Sequence, residues 1–507
     1  MWCAVRSTGS AISRPSWSTR RDVADLDCDV LIAGGGPTGV TLAILLARHG
    51  VNVVVAEKET AIFPLPRAAH IDHEGMRILQ AAGAADAVFA TSRRVARYDF
   101  LNARGKLLMR FDGADRMGPG GWPGANMIHQ PSVEAALRRS LQRQQTAELK
   151  SGWAVEGFVD DGEGVTTRIN TAEGDKVVRS RFLIGADGAR SPVRSAAGIT
   201  FDDLRFEEPW LVVDVLVDDA TRLPAANLQI CDPKRPTTCV LMGEGRHRWE
   251  FMILPGETPE QVSQDAFIET LLEPWNVKGA VRIERKAVYT FRARIAAEWR
   301  KGRVLLAGDA AHQTPPFAGQ GLCSGLRDAD NLAWKLAAVL KADAPESLLD
   351  SYQPERSPHL RATIDMAVMM GRMVCKTNRL SAWVRDMQIG LGRALGKLPS
   401  GPPGYPALSV GVILSGDANA GAYFPQCLAA DGARLDDALG QEAWLLTRKA
   451  LDAVPLQPFA QPLSRWFEAR GVEAVLVRPD RHVFGAGSPD ALRTAWRTMT
   501  GLRAQEF

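Results

Sequence analysis

The chain has 507 residues, 46% hydrophobic and 23% charged, which excludes a disordered, collagen-like or fibrous polypeptide and leaves room for about three domains of ordinary size. Its 61 Lys and Arg against 58 Asp and Glu leave a formal charge of +3 at pH 7, so no overall field points to nucleic acid or an acidic membrane as partner. A small-molecule task fits best.

Residues 1–27 hold several Ser and Arg and no acid before Asp22, without an apolar leader segment or a clear amphipathic helix, and are expected to form a disordered or dispensable tail. From Cys28 the pattern sharpens. Asp29 to Ala33 reads as a short buried strand, Val40 to His49 as a helix, and Val51 to Ala56 as a second strand, a βαβ opening with a right-handed crossover. Between the first strand and the helix lies Gly34-Gly-Gly36-Pro-Thr-Gly39, a G-x-G-x-x-G fingerprint. Gly34 permits the tight turn, Gly36 lets a pyrophosphate approach the backbone, and Gly39 lets helix and strand pack closely. The helix N-terminus adds unpaired N–H groups and a partial positive charge. Glu57 stands 21 residues after Gly36, where a carboxylate accepts from both ribose hydroxyls and repels a 2′-phosphate. The bound nucleotide is therefore FAD or NAD.

Residues 101–128 read as loops with short strands, Ser132 to Gln145 as a capped helix, and Arg181 to Gly185 as a strand running into a turn. From about 205 to 292 apolar and polar residues alternate, as in Trp210 to Val217 and Arg248 to Ile253, which predicts a mainly antiparallel sheet inserted as a second layer. Arg303 to Ala307 returns to a buried strand and meets Gly308-Asp309 at once. A carboxylate there suits a ribityl chain, which NAD lacks, and decides for a flavin. Pro315-Pro-Phe-Ala-Gly319-Gln-Gly321 then leads into a helix over Leu326 to Leu340, whose N-terminal amides suit the pyrimidine end of a reduced flavin. Helical text continues to about 395, and Ser400-Gly-Pro-Pro-Gly-Tyr-Pro breaks it before a separate unit whose clearest strand is Ala474 to Arg478.

Seven cysteines scattered without a C-x-x-C pair and eight histidines without ligand spacing argue against a protein-held metal and against a disulfide scaffold. No run of about 18 apolar residues is present, so no membrane-spanning helix is expected, and a reducing, cytoplasmic compartment fits.

Gly308-Asp309, Gly185-Ala-Asp187-Gly-Ala-Arg190-Ser-Pro192 and Gly319-Gln-Gly321 with Leu326 to Lys335 resemble the class A flavoprotein monooxygenases. Pro66 to Glu74, Gly121-Trp-Pro123 with Gln130-Pro131, Cys231 to Pro236 and Phe251 to Thr258 resemble the 3-(3-hydroxyphenyl)propionate hydroxylase type. The resemblance covers about residues 28 to 400 and, more weakly, the tail. It implies an α/β protein: a discontinuous Rossmann-like FAD-binding domain over 28–400, with an inserted, mainly antiparallel substrate sheet near 205–292, then a C-terminal thioredoxin-like unit over 401–507. Leu435 to Gly440 and Val477 to His482 carry that last likeness, and with Cys427 as the one cysteine there, dithiol exchange is excluded and packing or homodimerisation is left.

The resemblance also assigns residues. Glu57 would hold the adenosine ribose, Arg67 would reach the cofactor, Gln130 would lie on the flavin side, Asp309 would bind the ribityl chain, and Asp187 would serve FAD and a transient NADH or NADPH alike. The chemistry implied is capture of dioxygen by reduced flavin as a hydroperoxide that hydroxylates a phenolic ring ortho to its hydroxyl. Bringing a phenol from a pKa near 10 toward neutrality needs roughly 4 kcal/mol from an acceptor or nearby positive charge. His70 is the candidate base, the Pro316 carbonyl a second acceptor, and His73 is expected on the outer face of the next helix. A propionate-bearing substrate needs a cation, for which Arg235, Arg246 and Arg248 are the candidates. Alternatives are a hydroxylase of larger aromatic polyketides or antibiotics and a flavin-binding sensor without turnover. A halogenase is disfavoured because no W-x-W occurs among 13 tryptophans.

Overall fold

The computed structural model describes residues 26–397 and 404–507, so the tail expected over 1–27 lies almost wholly outside the described residues, as does most of the break after Ser400. Short runs of Val, Leu and Ile bury both faces of their strands, and such strands form parallel sheets. Such strands, Val53–Glu57, Cys28–Ala33, the end of Gly174–Gly185 and Val304–Leu306, align in parallel in that spatial order, with the polar strand Ala147–Ser151 added in parallel at the edge beside Val53–Glu57. The helix Pro37–Arg48 packs on this sheet and against the long helix Gly321–Lys341. An antiparallel hairpin, Ala154–Asp160 with Val165–Thr171, extends from the first half of Gly174–Gly185.

The second sheet also has eight strands, in the order His312–Gln313, Val281–Ala296, Phe201–Val217, Arg246–Met252, Thr237–Leu241, Asn227–Cys231, Arg97–Asn102 and Leu107–Asp112. All its pairs are antiparallel except Asn227–Cys231 with Arg97–Asn102. It is thus wider than the expected 205–292 insertion. Its central run extends from Phe201 to Ala296, His312–Gln313 is added at one edge, and the hairpin Arg97–Asp112, which overlaps the stretch read as loops with short strands, at the other. Period-two alternation sorts its central strands: Leu211, Val213, Val215, Trp249 and Phe251 fill a core with the helix Asp265–Leu272, while Val212, Arg248, Glu250 and Thr238 face the other way.

Two helix boundaries differ from expectation. The helix placed at Ser132 begins at Gln130, with Pro131 in its first turn and no side-chain cap, and ends at Leu141. The helix placed at Leu326 begins five residues earlier at Gly321, because the glycine-rich turn feeds straight into it. Beyond it run the helices Tyr352–Val374 and Arg379–Ala394.

The C-terminal residues form a four-stranded sheet, Val483–Gly487, Ala474–Val477, Trp444–Thr447 and Gln505–Glu506, with helices Ala460–Arg470 and Pro489–Thr500. One face (Trp444, Leu446, Val475, Val477) builds a local core with Leu463 and Phe467. The other (Leu445, Ala474, Leu476) merges through Trp496 with the main core at Trp334. Among the described residues no helix is long and apolar enough to cross a membrane.

Candidate active site

A single cavity of about 2140 Å³ runs from the C-terminal ends of the parallel strands to the free face of the antiparallel sheet. Pockets for one drug-sized ligand occupy about 300–1,000 Å³, so this one suits a dinucleotide and a second molecule together.

At the parallel-sheet end, Gly34 has φ +108°, and a Cβ there would stand 2.3 Å from the Ala186 carbonyl oxygen. A Cβ on Gly36 would meet nothing within 4 Å and points into open space, as a phosphate-approach position requires. The helix beyond has Pro37 at its start, no side-chain cap and no acid in its first turn, leaving its N–H groups for an anion. The Glu57 carboxylate accepts from the amides of Gly35 at 2.6 Å and Glu59 at 2.8 Å, which fixes its aim while each oxygen keeps a lone pair. Asp187 accepts from the Val193 amide at 3.0 Å through Oδ2, and its other oxygen is buried with no partner among the described residues. Desolvation raises its pKa.

Gln130 Oε1 accepts from the amides of Arg67 (3.2 Å) and Ala68 (2.7 Å), and its Nε2 donates to Glu134 at 2.8 Å. Gln130 therefore holds the loop that carries Arg67 rather than offering a free amide. Asp309 follows Gly308 in a single 3-10 turn, which is anchored by donation from the Gly308 amide to Asp328 at 3.0 Å. The Asp309 carboxylate faces the cavity, makes no hydrogen bond among the described residues, and is raised in pKa by desolvation. Gly319, at φ +64°, ends the turn Pro316–Ala318, and Gln320 accepts from Arg327 at 3.1 Å while Gly321 opens the helix toward the cavity. An open phosphate approach at Gly36, an orphaned carboxylate oxygen on Asp187 and the unpaired Asp309 carboxylate on the cavity wall together fit FAD.

His70 begins a two-residue strand on the cavity wall, with Nδ1 3.2 Å from the Gly319 carbonyl oxygen. A carbonyl only accepts, so Nδ1 is the donor, and in the neutral ring Nε2 is the nitrogen with the lone pair. The Pro316 carbonyl already accepts from the Gly319 amide at 2.8 Å. His73 is a correction: it starts the helix His73–Ala81 but turns inward, accepting from the Gly120 amide at 3.2 Å beside the rings of Tyr405 and Tyr423. The glycines at 118 and 120 make room for it.

The three candidate arginines are also corrected. Arg235 is held by both oxygens of Glu257, at 2.5 and 2.7 Å, and is not part of the cavity wall. Arg246 is likewise off the wall, paired with Glu284 at 2.9 Å. Arg248 reaches the wall, but its guanidinium donates to Asp214 at 2.6 and 3.1 Å and to the carbonyls of Pro66 and Arg67, both at 2.8 Å. It positions the Arg67 loop, with four of its five N–H donors committed within the chain. Each bidentate pair satisfies charge within the chain.

The end of the cavity against the antiparallel sheet is built, apart from Phe317, by residues outside the motifs. Tyr289, Phe291 and Phe317, with Met366, Met370 and Met373, give it an aromatic and thioether lining, and Thr238, Asn227 and Glu250 add polarity. Alternation along the strands was the available signal, since the face opposite Trp249 and Phe251 had to look somewhere.

The family model described as FAD binding domain matches residues 27–367. A probable NADH-specific resorcinol 4-hydroxylase of Rhodococcus jostii is 36% identical, covering 94% of this chain and 94% of that protein. A 3-(3-hydroxy-phenyl)propionate/3-hydroxycinnamic acid hydroxylase of Mycolicibacterium smegmatis is 39% identical over 71% of this chain, and the match spans 64% of that relative, under two thirds of its length. Among solved structures, the ternary complex of aklavinone-11 hydroxylase with FAD and aklavinone superposes with a TM-score of 0.77 at 25% identity, covering 95% of this chain and 100% of that one.

Proposed function

Because the chain belongs to the FAD binding domain family, we propose that it is a monooxygenase that uses FAD, NADH and dioxygen to hydroxylate a phenolic ring ortho to its hydroxyl. The observation that carries this reading is the continuity of one cavity, from a cradle suited to FAD to an aromatic wall with a histidine between them. When bound, FAD supplies the two-electron chemistry by which NADH and dioxygen give one oxygen atom to the ring and one to water.

In this reading Gly34, Gly36 and Gly39 shape the pyrophosphate site, Glu57 takes the adenosine ribose, and Arg67, held by Gln130 and Arg248, reaches over the cofactor. Asp187 and Gly308-Asp309 take its hydroxyls, and Gln320 and Gly321, placed by the turn at Gly319, present amides to its polar ring edge. His70 accepts the phenolic proton at Nε2, and the second lone pair of the Pro316 carbonyl is the alternative acceptor for that hydroxyl. The FAD-binding unit spans 28–400. The C-terminal unit, 401–507, is a thioredoxin-like module that packs on the main core through Trp496 and Trp334, and its one cysteine, Cys427, leaves it no dithiol chemistry.

The test is a panel of monocyclic diphenols, hydroxyphenylpropionates and fused aromatics, scored for both NADH consumption and hydroxylated product. We expect a monocyclic phenol to accelerate NADH oxidation with matching product. Turnover of fused aromatics alone would move the assignment to polyketide-type substrates, and acceleration by none would leave a flavin-binding sensor. In the same assay His70→Ala is expected to keep FAD but divert at least half of the NADH into peroxide, whereas unchanged coupling would remove His70 from the chemistry.

A further inference from the structure

The antiparallel sheet turns one face of Arg246–Met252 to the cavity; Asp214 there pairs with both Arg248 and Arg285, while the Glu250 carboxyl is left without a hydrogen-bond donor. Asp214 lies directly across from Arg248 and neutralises it at 2.6 Å. Across from Glu250 stand Val212 on one side and Thr238 on the other. Neither offers it a donor: the Thr238 hydroxyl donates to Gln229 Oε1 at 2.9 Å, and the Tyr98 hydroxyl donates to the same atom at 3.1 Å. Arg248 Nη1 comes no nearer than 3.7 Å, because it donates to the Arg67 carbonyl at 2.8 Å. Glu250 is only 6% exposed, lines the cavity, and receives no hydrogen bond among the described residues.

A buried carboxyl without a donor is costly, and the cost is recovered when a ligand brings the donor. Resting on the hydroxylase reading, we propose that Glu250 is the specificity-determining residue of the substrate end. It accepts a hydrogen bond from the second hydroxyl of a neutral dihydroxylated aromatic and repels a substrate that carries a carboxylate there. Burial pushes the Glu250 carboxyl up to about 7, opposed by Arg248 and assisted by Asp214, which fits an acid awaiting a partner. The three arginines that a propionate side chain would call for are all paired with carboxylates of this chain.

The experiment measures dissociation constants for resorcinol and for 3-(3-hydroxyphenyl)propionate from the perturbed absorption of FAD-loaded protein, in wild type, Glu250→Gln and Glu250→Ala. Wild type should bind resorcinol more tightly. Glu250→Ala should weaken resorcinol about tenfold or more, and both variants should tighten the propionate about tenfold. FAD content equal to wild type certifies that the variants are folded. A ratio of the two constants unchanged by either variant overturns the assignment. If wild type loads FAD yet binds neither compound and neither stimulates NADH oxidation, the hydroxylase reading fails and this assignment with it.

Discussion

Arg478→Ala is expected to destabilise the protein by about 3–5 kcal/mol, the usual consequence of removing one partner from a buried ionic network. Arg478 is fully buried where the C-terminal sheet meets the helix Tyr352–Val374. Its guanidinium donates to Glu355 at 2.7 and 3.1 Å, to Asp480 at 2.6 and 2.9 Å, and to the Val412 carbonyl at 3.0 Å. Glu355 also accepts from Lys335 and Asn331, both at 2.7 Å. Without Arg478 two buried carboxylates share one lysine, and one of the ionic links between the two parts is lost, the pair of Arg77 with Asp436 remaining. The expected readout is a lower denaturant midpoint, and a change below about 1 kcal/mol would contradict it. The arginine pair, with Lys335, holds the Glu355 carboxyl at about 2, so its contribution is complete above the ordinary value of 4.5 and is lost as pH falls from there toward 2. Unfolding of wild type should therefore become easier with acid over that window, and the variant should depend less on pH there.

Asp309→Ala is expected to yield folded protein with less than about a tenth of the normal FAD content, since a charge-assisted hydrogen bond to a ligand is worth roughly ten- to hundredfold in affinity. The two halves of this outcome have separate causes. The carboxylate makes no hydrogen bond to the chain among the described residues and desolvation disfavours its charge, so the apoprotein loses nothing by its removal. The turn itself is held by Asp328, which accepts from Gly308 and His312 and pairs with Arg356. Asp309→Ala with full FAD would refute the ribityl assignment, and a variant that fails to fold would show that Asp309 is structural.

The parts legible in the sequence are those where local geometry forces a residue type. Gly34 needs a positive φ, Gly36 must leave space, Glu57 must end a strand, and Gly308 must open a turn at the cavity. Such demands act within a few residues and therefore leave a spacing. The substrate end follows different rules. Whether Arg248 meets a ligand or Asp214 depends on the register between strands 34 residues apart, and Arg246 finds Glu284 across 38. Glu250 is isolated only because three strands align so that no donor faces it. Cross-strand register is a tertiary outcome, and arginine candidates chosen by residue type alone fell to it. His73 turned inward for a similar reason, since the glycines that admit it lie on a distant loop.

A chain that transfers one atom of dioxygen to a phenolic ring leaves an isotopic record. Turnover with NADH under ¹⁸O₂, followed by mass analysis of the aromatic product, reads it most directly, and the new hydroxyl is expected to carry one ¹⁸O. Label entering from H₂¹⁸O instead, or NADH consumed with peroxide as the sole product, would contradict it.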